Sequence, residues 1–472
     1  MPQYLTSRAA GAVPILPLAA DELKSWLKSQ PPAQRSSVAA WVDSLRFTAK
    51  TGTHCLLPGA DGALARVLVG VDPADGPYAF AGLPAALPLG RYRLETADGP
   101  GDRHQDPSLQ ANHAALGWAL GSYAFGRYRK ARDFASLAWP KGVDRGAVGR
   151  TAQAVRLVRD LINTPAGDMG PAELAAVARK LARTHGARLS VIVGDALLKH
   201  NYPAVHAVGR ASEKAPRLID LRWGKKGPKV TLVGKGVCFD SGGLDLKTAA
   251  GMKLMKKDMG GAAHVLGLAS MVMAAGLPLR LRVLVPAVEN SVSGNAFRPL
   301  DVLKTRKGLT VEVGNTDAEG RLILCDALAE ASREKPDLLI DFATLTGAAR
   351  VALGTGLPAL FCNDEALAQT LLDEGLARHD QIWRLPLHQP YRKGLDSQVA
   401  DLNNISDGPF GGAITAALFL QAFVEAGIPW AHFDLMAWNL SASPGRPQGG
   451  EAMGLRTVFG AIERMAAKRG SK

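Results

Sequence analysis

The sequence predicts an α/β protein in two parts, a smaller amino-terminal α/β domain and a larger carboxy-terminal domain with a mixed, mostly parallel sheet flanked by helices. Three observations predict it. Helical periodicity alternates with short buried apolar runs through the last two thirds of the chain. The first third differs in composition, being rich in Ala, Pro and Gly. The length, 472 residues, exceeds one domain of about 150 residues. Hydrophobic residues at 47% and charged residues at 21% suit a chain with a sizeable core, which excludes disordered, collagen-like and low-complexity classes.

The elements follow in order. Residues 9–20 are apolar, but Pro14 and Pro17 interrupt them and only Arg8 precedes them, so a secretory signal is not expected. The apolar run 65–71 lies between the turns Asp61-Gly62 and Asp75-Gly76, and residues 112–123 are helical in pattern. A charged stretch at 127–133 and the turn Pro140-Lys141-Gly142 mark a linker, placing one domain at 1–146 and the other at 147–472.

The second domain opens with a helix at about 147–162, where Val148, Ala152, Val155, Val158 and Ile162 form an apolar stripe. Asn163-Thr164-Pro165-Ala166-Gly167 stops it. Helices are expected over 174–185, 259–275 and 322–333, and strands over 187–193, 230–234, 280–286, 338–344 and 357–362. Such alternation builds a sheet covered on both faces, with its active site at the carboxyl ends of strands.

Lys and Arg number 56 against 43 Asp and Glu, a net +13. That balance raises nucleic acid or an acidic membrane surface as partner. The charge is spread unevenly: residues 201–300 carry 15 basic against 6 acidic side chains, and 301–450 carry 12 against 19. No arm or tail concentrates it, so a solvated surface is favoured over a dedicated nucleic-acid face. Cys55, Cys238, Cys325 and Cys362 form no C-x-x-C pair, which fits a reducing, cytoplasmic setting. The longest apolar stretch, 265–277, is too short to span a bilayer, and no membrane partner is expected.

Three segments carry chemistry. Val233-Gly234-Lys235-Gly236-Val237-Cys238-Phe239-Asp240-Ser241-Gly242-Gly243, continuing to Lys247, follows a buried strand and sets two cations and a carboxylate among glycines. It lacks the phosphate-loop pattern, and a surface turn is its bland reading. Met255-Lys256-Lys257-Asp258-Met259-Gly260-Gly261-Ala262-Ala263 places Asp258 where a small-residue helix begins, so a helix N-cap is the alternative there. In Asn315-Thr316-Asp317-Ala318-Glu319-Gly320-Arg321-Leu322, an extended backbone would project Asp317, Glu319 and Arg321 to one side. Two convergent carboxylates repel, so burying them takes a proton, a cation or a metal. A structural ion-pair network is the alternative.

Together Asp240, Asp258, Asp317 and Glu319 suit divalent metals, and shared carboxylates suit a two-metal hydrolytic centre. No histidine joins a ligand pair, and H-E-x-x-H is absent. His206, His264 and His432 are expected in the core or behind the site. Gly354-Thr355-Gly356-Leu357-Pro358-Ala359 suggests a nucleotide-dependent oxidoreductase only weakly, because it leads into a strand instead of opening a helix.

With these segments in hand, residues 150–472 resemble the leucyl aminopeptidase (cytosol aminopeptidase) family of dinuclear metallo-exopeptidases. The octapeptide, the loop 234–243 with Lys247 and the turn 255–263 carry the resemblance. Asp341-Phe342-Ala343-Thr344-Leu345-Thr346-Gly347-Ala348 and Gly412-Ala413-Ile414-Thr415-Ala416-Ala417 extend it. It implies an aminopeptidase that releases amino-terminal residues from peptides by a water bridging two divalent ions, Zn or Mn. Lys235, Asp240, Asp258, Asp317 and Glu319 would be the metal ligands, Asp240 and Glu319 bridging. Asp317 would also bind partly through its backbone carbonyl. Lys235 would have to bind as a neutral amine, at about 1.4 kcal/mol per pKa unit of depression. Lys247 would polarise the scissile carbonyl, and Arg321 would hold a bicarbonate acting as general base. A homohexamer is implied, and some members also bind DNA.

The resemblance also assigns the pocket for the first substrate residue to Met255, Thr344, Met436 and Ala437. Here the chain departs from the family, which usually has Ala-Gly where Met436-Ala437 stands. A shallower pocket, less suited to bulky or branched first residues, is the expectation. Leu300 likewise stands where a glycine is usual.

Overall fold

A computed structural model describes residues 4–95 and 107–470. The chain divides into two compact units, Met1–Arg156 with Ser441–Gln448, and Leu157–Leu440 with Gly449–Lys472. The first is built on a six-stranded sheet in the order Leu5–Thr6, Ser136–Ala138, Arg91–Leu94, Val13–Leu18, Leu64–Gly70, His54–Pro58. All neighbours are parallel except the last pair. The proline-interrupted segment near the amino terminus thus supplies an interior strand, Val13–Leu18. Ile15, Val67, Tyr92, Trp118 and Leu137 share that unit's core.

The larger unit carries a nine-stranded sheet. Its main path runs Trp383–Arg384, Ala359–Cys362, Trp430–Asp434, Leu338–Ala343, Lys229–Gly234, Arg280–Asn290, Arg217–Trp223, Arg188–Val193, with Gly236–Asp240 pairing beside Arg280–Asn290. The central pairs are parallel, and Arg217–Trp223 and Arg188–Val193 run antiparallel at one side. A mixed, mostly parallel sheet is therefore what the alternating pattern produces. Leu338–Ala343 is buried at every position, as expected of a strand covered on both faces. Apolar side chains of the strands, such as Val233, Leu284 and Trp430, share a core with Leu322, Leu324 and Leu328 of the helix Glu319–Ser332 and with Phe419.

The helix Gly260–Ala274 is buried almost throughout, which is why its sequence shows no polar stripe. It lies so close to the sheet that a Cβ on Gly261 would stand 2.0 Å from the carbonyl oxygen of Phe342. Tight backbone approach explains the small residues crowded there. Helix Arg145–Asn163 buries Val148, Ala152, Val155, Val158 and Ile162, the whole expected stripe. Leu300 takes φ +68° and Ala437 φ +54°, so both departures from the family occupy left-handed backbone where glycine is unstrained. All four cysteines are free and buried. Among the described residues no helix is long and apolar enough to cross a membrane.

Candidate metal centre

The strand ends deliver the site. Lys235 follows Lys229–Gly234, Asp240 ends its own strand, Asn290 ends Arg280–Asn290, and Thr344 follows Leu338–Ala343. In parallel sheets the carboxyl ends open towards a common crevice, and these four positions meet there.

Carboxylate oxygens of Asp240, Asp317 and Glu319 come within 4.8 Å of one another. Lys235 Nζ lies 2.7 Å from Asp258 Oδ2 and 2.9 Å from Glu319 Oε1, and donates to Thr344 O at 3.2 Å. Lys247 Nζ lies 2.9 Å from Asp240 Oδ2 and also pairs with Asp317 Oδ1. All five expected ligands and Lys247 are thus brought together. Lys235 and Asp258 are 2% exposed and Glu319 1%, so the cluster sits where uncompensated charge is costly.

The titration pattern follows from that burial. Burial, with the charge of Asp258 added, pushes the Asp240 carboxyl up to about 6 against Lys247 and Lys235. Glu319 is raised well above the carboxylate range by burial and by Asp240. Burial would raise Asp258 too, but Lys235 and Lys257 hold it below its ordinary value. Burial opposes the Lys235 ammonium, yet Asp258, Glu319 and Asp240 together hold it above the usual lysine range. Four carboxylates thus surround the ammonium groups of Lys235 and Lys247, an excess of negative charge. Asp258 Oδ2, Asp317 Oδ1 and Glu319 Oε1 are buried and face lysine ammonium groups, Lys235 for Asp258 and Glu319 and Lys247 for Asp317. Oxygens so disposed fit a divalent cation.

Two readings of local geometry need correction. The segment holding the octapeptide is not extended. Asn315 Oδ1 accepts from the Asp317 amide at 2.6 Å, closing a turn, and Glu319 opens the helix Glu319–Ser332. Asp317 and Glu319 converge because a turn runs into a helix, not by strand alternation. Nor does Asp258 cap a helix. It lies in the 3₁₀ turn Met255–Met259, and its Oδ1 accepts from Thr344 Oγ1 at 2.7 Å.

Several supporting residues escape a reading by motif. Asn290 Nδ2 donates to Asp240 Oδ1 at 2.9 Å and to Thr316 O at 3.1 Å, tying two ligand segments together. Asn404 Oδ1 accepts from the Gly314 amide at 2.7 Å, its Nδ2 donates to Asn315 O at 2.8 Å, and its carbonyl accepts from Arg321 Nη1 at 2.6 Å. Asn290 alone carries a sequence signal, as a polar end to a buried strand. Arg321 is buried, its Nε has no hydrogen bond, and burial pushes its guanidinium down to about 10. His264 and His432 are buried in the core, whereas His206 pairs with the exposed Asp195. His264 Nδ1 lies 2.7 Å from Gly260 O, His432 Nδ1 2.6 Å from Asp341 Oδ1, and His206 Nε2 3.0 Å from Asp195 Oδ1.

Of the pocket residues, Thr344 touches the site directly through Asp258, Met255 is half-buried in the same 3₁₀ turn, and Met436 and Ala437 follow the strand Trp430–Asp434. A covered α/β sheet that gathers carboxylates and lysines at its strand ends fits the class of metal-dependent hydrolases.

Comparison with known proteins narrows the class. Residues 156–459 match the family model described as cytosol aminopeptidase family, catalytic domain. Residues 13–140 match M17 aminopeptidase, N-terminal domain, so the likeness reaches beyond the residues 150–472 that carry the resemblance in sequence. A probable cytosol aminopeptidase of Roseiflexus castenholzii is 42% identical over 380 residues, 76% of this chain and 77% of that protein. The crystal structure of cytosol aminopeptidase from Coxiella burnetii superposes with a TM-score of 0.91 at 52% identity, covering 98% of each chain. The bottromycin maturation enzyme BotP in complex with Mn gives 0.85 at 36% identity, covering 97% of this chain and 100% of the other. The chain belongs to the cytosol aminopeptidase (M17) family, metal-dependent hydrolases of the leucyl-aminopeptidase type that act on peptides.

Proposed function

We propose that the enzyme releases amino-terminal residues from peptides with the help of two divalent ions per subunit. One observation carries the reading: carboxylate oxygens of Asp240, Asp317 and Glu319, from two chain segments, converge within 4.8 Å of one another in a buried cluster now held by Lys235 and Lys247. Lys235, Asp240, Asp258, Asp317 and Glu319 would hold the ions, Asp240 and Glu319 being shared. The relative described with Mn makes Mn the first ion to test, with Zn the alternative. When bound, such ions act as Lewis acids and make water nucleophilic near neutral pH.

The chain's own groups do the rest. An ammonium has no lone pair, so Lys235 would release a proton to solvent on loading, and Asp258 and Glu319, now paired with the ammonium, would face the ions instead. Thr344 fixes the Asp258 carboxylate by its hydroxyl. Lys247, paired with Asp240 and Asp317, is positioned to polarise the scissile carbonyl. Arg321, anchored through one Nη to Asn404, keeps Nε for an anion such as bicarbonate, which would serve as general base. Met255, Thr344, Met436 and Ala437 would line the pocket for the first side chain.

The proposal places the catalytic domain at 147–472 and the enzyme in the cytoplasm as a homohexamer, on the family resemblance. A secondary binding of nucleic acid, raised by the net charge of +13, has no arm or tail to support it, and a lack of duplex binding at low salt would remove it. The test of the main reading is hydrolysis of aminoacyl p-nitroanilides with added Mn²⁺ or Zn²⁺, before and after chelation. Activity is expected to vanish on chelation and in Asp317→Asn. Activity that survives either would refute the reading.

A further inference from the structure

Beside the metal centre lies a cation that this chemistry does not use. Lys257 is 1% exposed, yet its ammonium makes no hydrogen bond or ion pair with any described residue. The charges acting on it are those of Asp258, Arg350, Lys235 and Asp434. Neither carboxylate is available as a partner. Asp258 is engaged by Lys235 at 2.7 Å and Thr344 at 2.7 Å. Asp434 accepts from the Leu345 amide at 2.9 Å, the Thr346 amide at 3.1 Å and Thr346 Oγ1 at 2.6 Å. Arg350 adds a second cation without an ion pair among the described residues. Its Nη2 lies 3.5 Å from where a Cβ on Gly347 would stand, at the start of the helix Gly347–Leu353. Two cations therefore share one corner with no carboxylate in hydrogen-bonding contact, Asp258 and Asp434 offsetting the Lys257 charge only from a distance, and a buried charge so placed favours a ligand that supplies the opposite one.

We propose that Lys257, assisted by Arg350, is a specificity-determining residue that binds a side-chain carboxylate on the first residue of the substrate, so that the enzyme favours peptides beginning with Glu or Asp. The inference rests on the aminopeptidase reading above. The position favours the first residue over the far end of the peptide. Lys257 shares a five-residue 3₁₀ turn with Met255 and Asp258, and Arg350 follows Thr344 within the same strand-end segment. These flank the pocket for the first side chain, whereas a carboxyl terminus lies at a distance that changes with peptide length.

The experiment compares kcat/KM for isosteric pairs, Glu against Gln and Asp against Asn p-nitroanilides, with the Ala substrate in parallel, on the Mn²⁺-loaded enzyme. For wild type, the acid of at least one pair is expected to exceed its amide by roughly ten- to a hundredfold, the worth of a charge-assisted hydrogen bond in a desolvated site. Lys257→Met should erase most of that ratio, Lys257→Arg should restore part of it, and Arg350→Gln should lower it less. The ratio within one variant cancels general losses of activity or fold. Independently of any variant, free L-glutamate or L-aspartate should inhibit wild-type hydrolysis of the Ala substrate more strongly than its amide counterpart. Ala-Gly is compared with Ala-Gly-amide to test the other source of a carboxylate. A preference for the free acid in that pair, with none in the side-chain pairs, would overturn the assignment. So would hydrolysis of the Ala substrate with no acid-over-amide preference in either side-chain pair, or an acid preference unchanged in Lys257→Met. Failure to hydrolyse every substrate tried would instead overturn the aminopeptidase reading itself.

Discussion

Gly320→Ala tests how the lysine of the metal centre is held. A Cβ at position 320 would stand 2.4 Å from Lys235 Cε, 2.6 Å from Nζ and 2.8 Å from Cδ. Relieving these contacts needs a shift of about 1 Å, since carbon atoms rest at about 3.5–4.0 Å. The side chain has little freedom to give way, because its Nζ is fixed at 2.7 Å from Asp258 and 2.9 Å from Glu319. In the loaded state the same shift would move the ligating amine off its position, with an expected loss of roughly ten- to a hundredfold in metal affinity, as is usual when the support of a ligand is disturbed. Helix propensity acts the other way, since Ala in place of Gly within Glu319–Ser332 gains about 0.8–1 kcal/mol. The variant should therefore fold and yet bind metal poorly. Titration of Mn²⁺ by restored hydrolysis of Ala p-nitroanilide, with a urea midpoint alongside, separates the two effects. Wild-type metal affinity in a folded Gly320→Ala protein would refute the role given to Lys235.

Two further predictions concern the pocket and pH. Ala437 and Met436 should make Leu and Phe p-nitroanilides poorer substrates in kcat/KM than Ala and Met, and equal values would contradict the shallower pocket. His432 is buried, which lowers its pKa, but Asp341 at 2.6 Å reverses this and raises it overall. A pKa raised in the folded state gives stability that is complete below the unfolded value of about 6.5 and is lost as pH rises through the folded value. Denaturation midpoints should fall above that pH with a slope of at most about 1.4 kcal/mol per unit, and His432→Gln should flatten this part of the profile. A profile that rises over the same range in wild type would contradict the pairing.

How much was legible in the sequence differs from residue to residue. The strands Lys229–Gly234 and Leu338–Ala343 and the helix Arg145–Asn163 follow from apolar pattern, because burial on two faces or along one stripe leaves a periodic trace. Asp240, Asp258, Asp317 and Glu319 are legible as carboxylates beside glycines at the ends of such elements. The turn at Asn315 is not, since two-residue alternation misses an Asn side chain that folds back on its own backbone. Asn404 and Lys257 lay beyond reach for different reasons. Asn404 acts across 83 residues on Arg321, a proximity that only the folded sheet creates. Lys257 reads as one more solvated charge in a basic chain until its burial is seen.

The central claim is that this carboxylate cluster holds two ions. Its most direct measurement is the metal content of the purified protein after equilibration with Mn²⁺ or Zn²⁺ and removal of excess, by elemental mass spectrometry on wild type and Glu319→Gln. Two ions per subunit in wild type, and at most one in Glu319→Gln, are expected. A single ion in wild type, or two retained without the Glu319 carboxylate, would contradict the account.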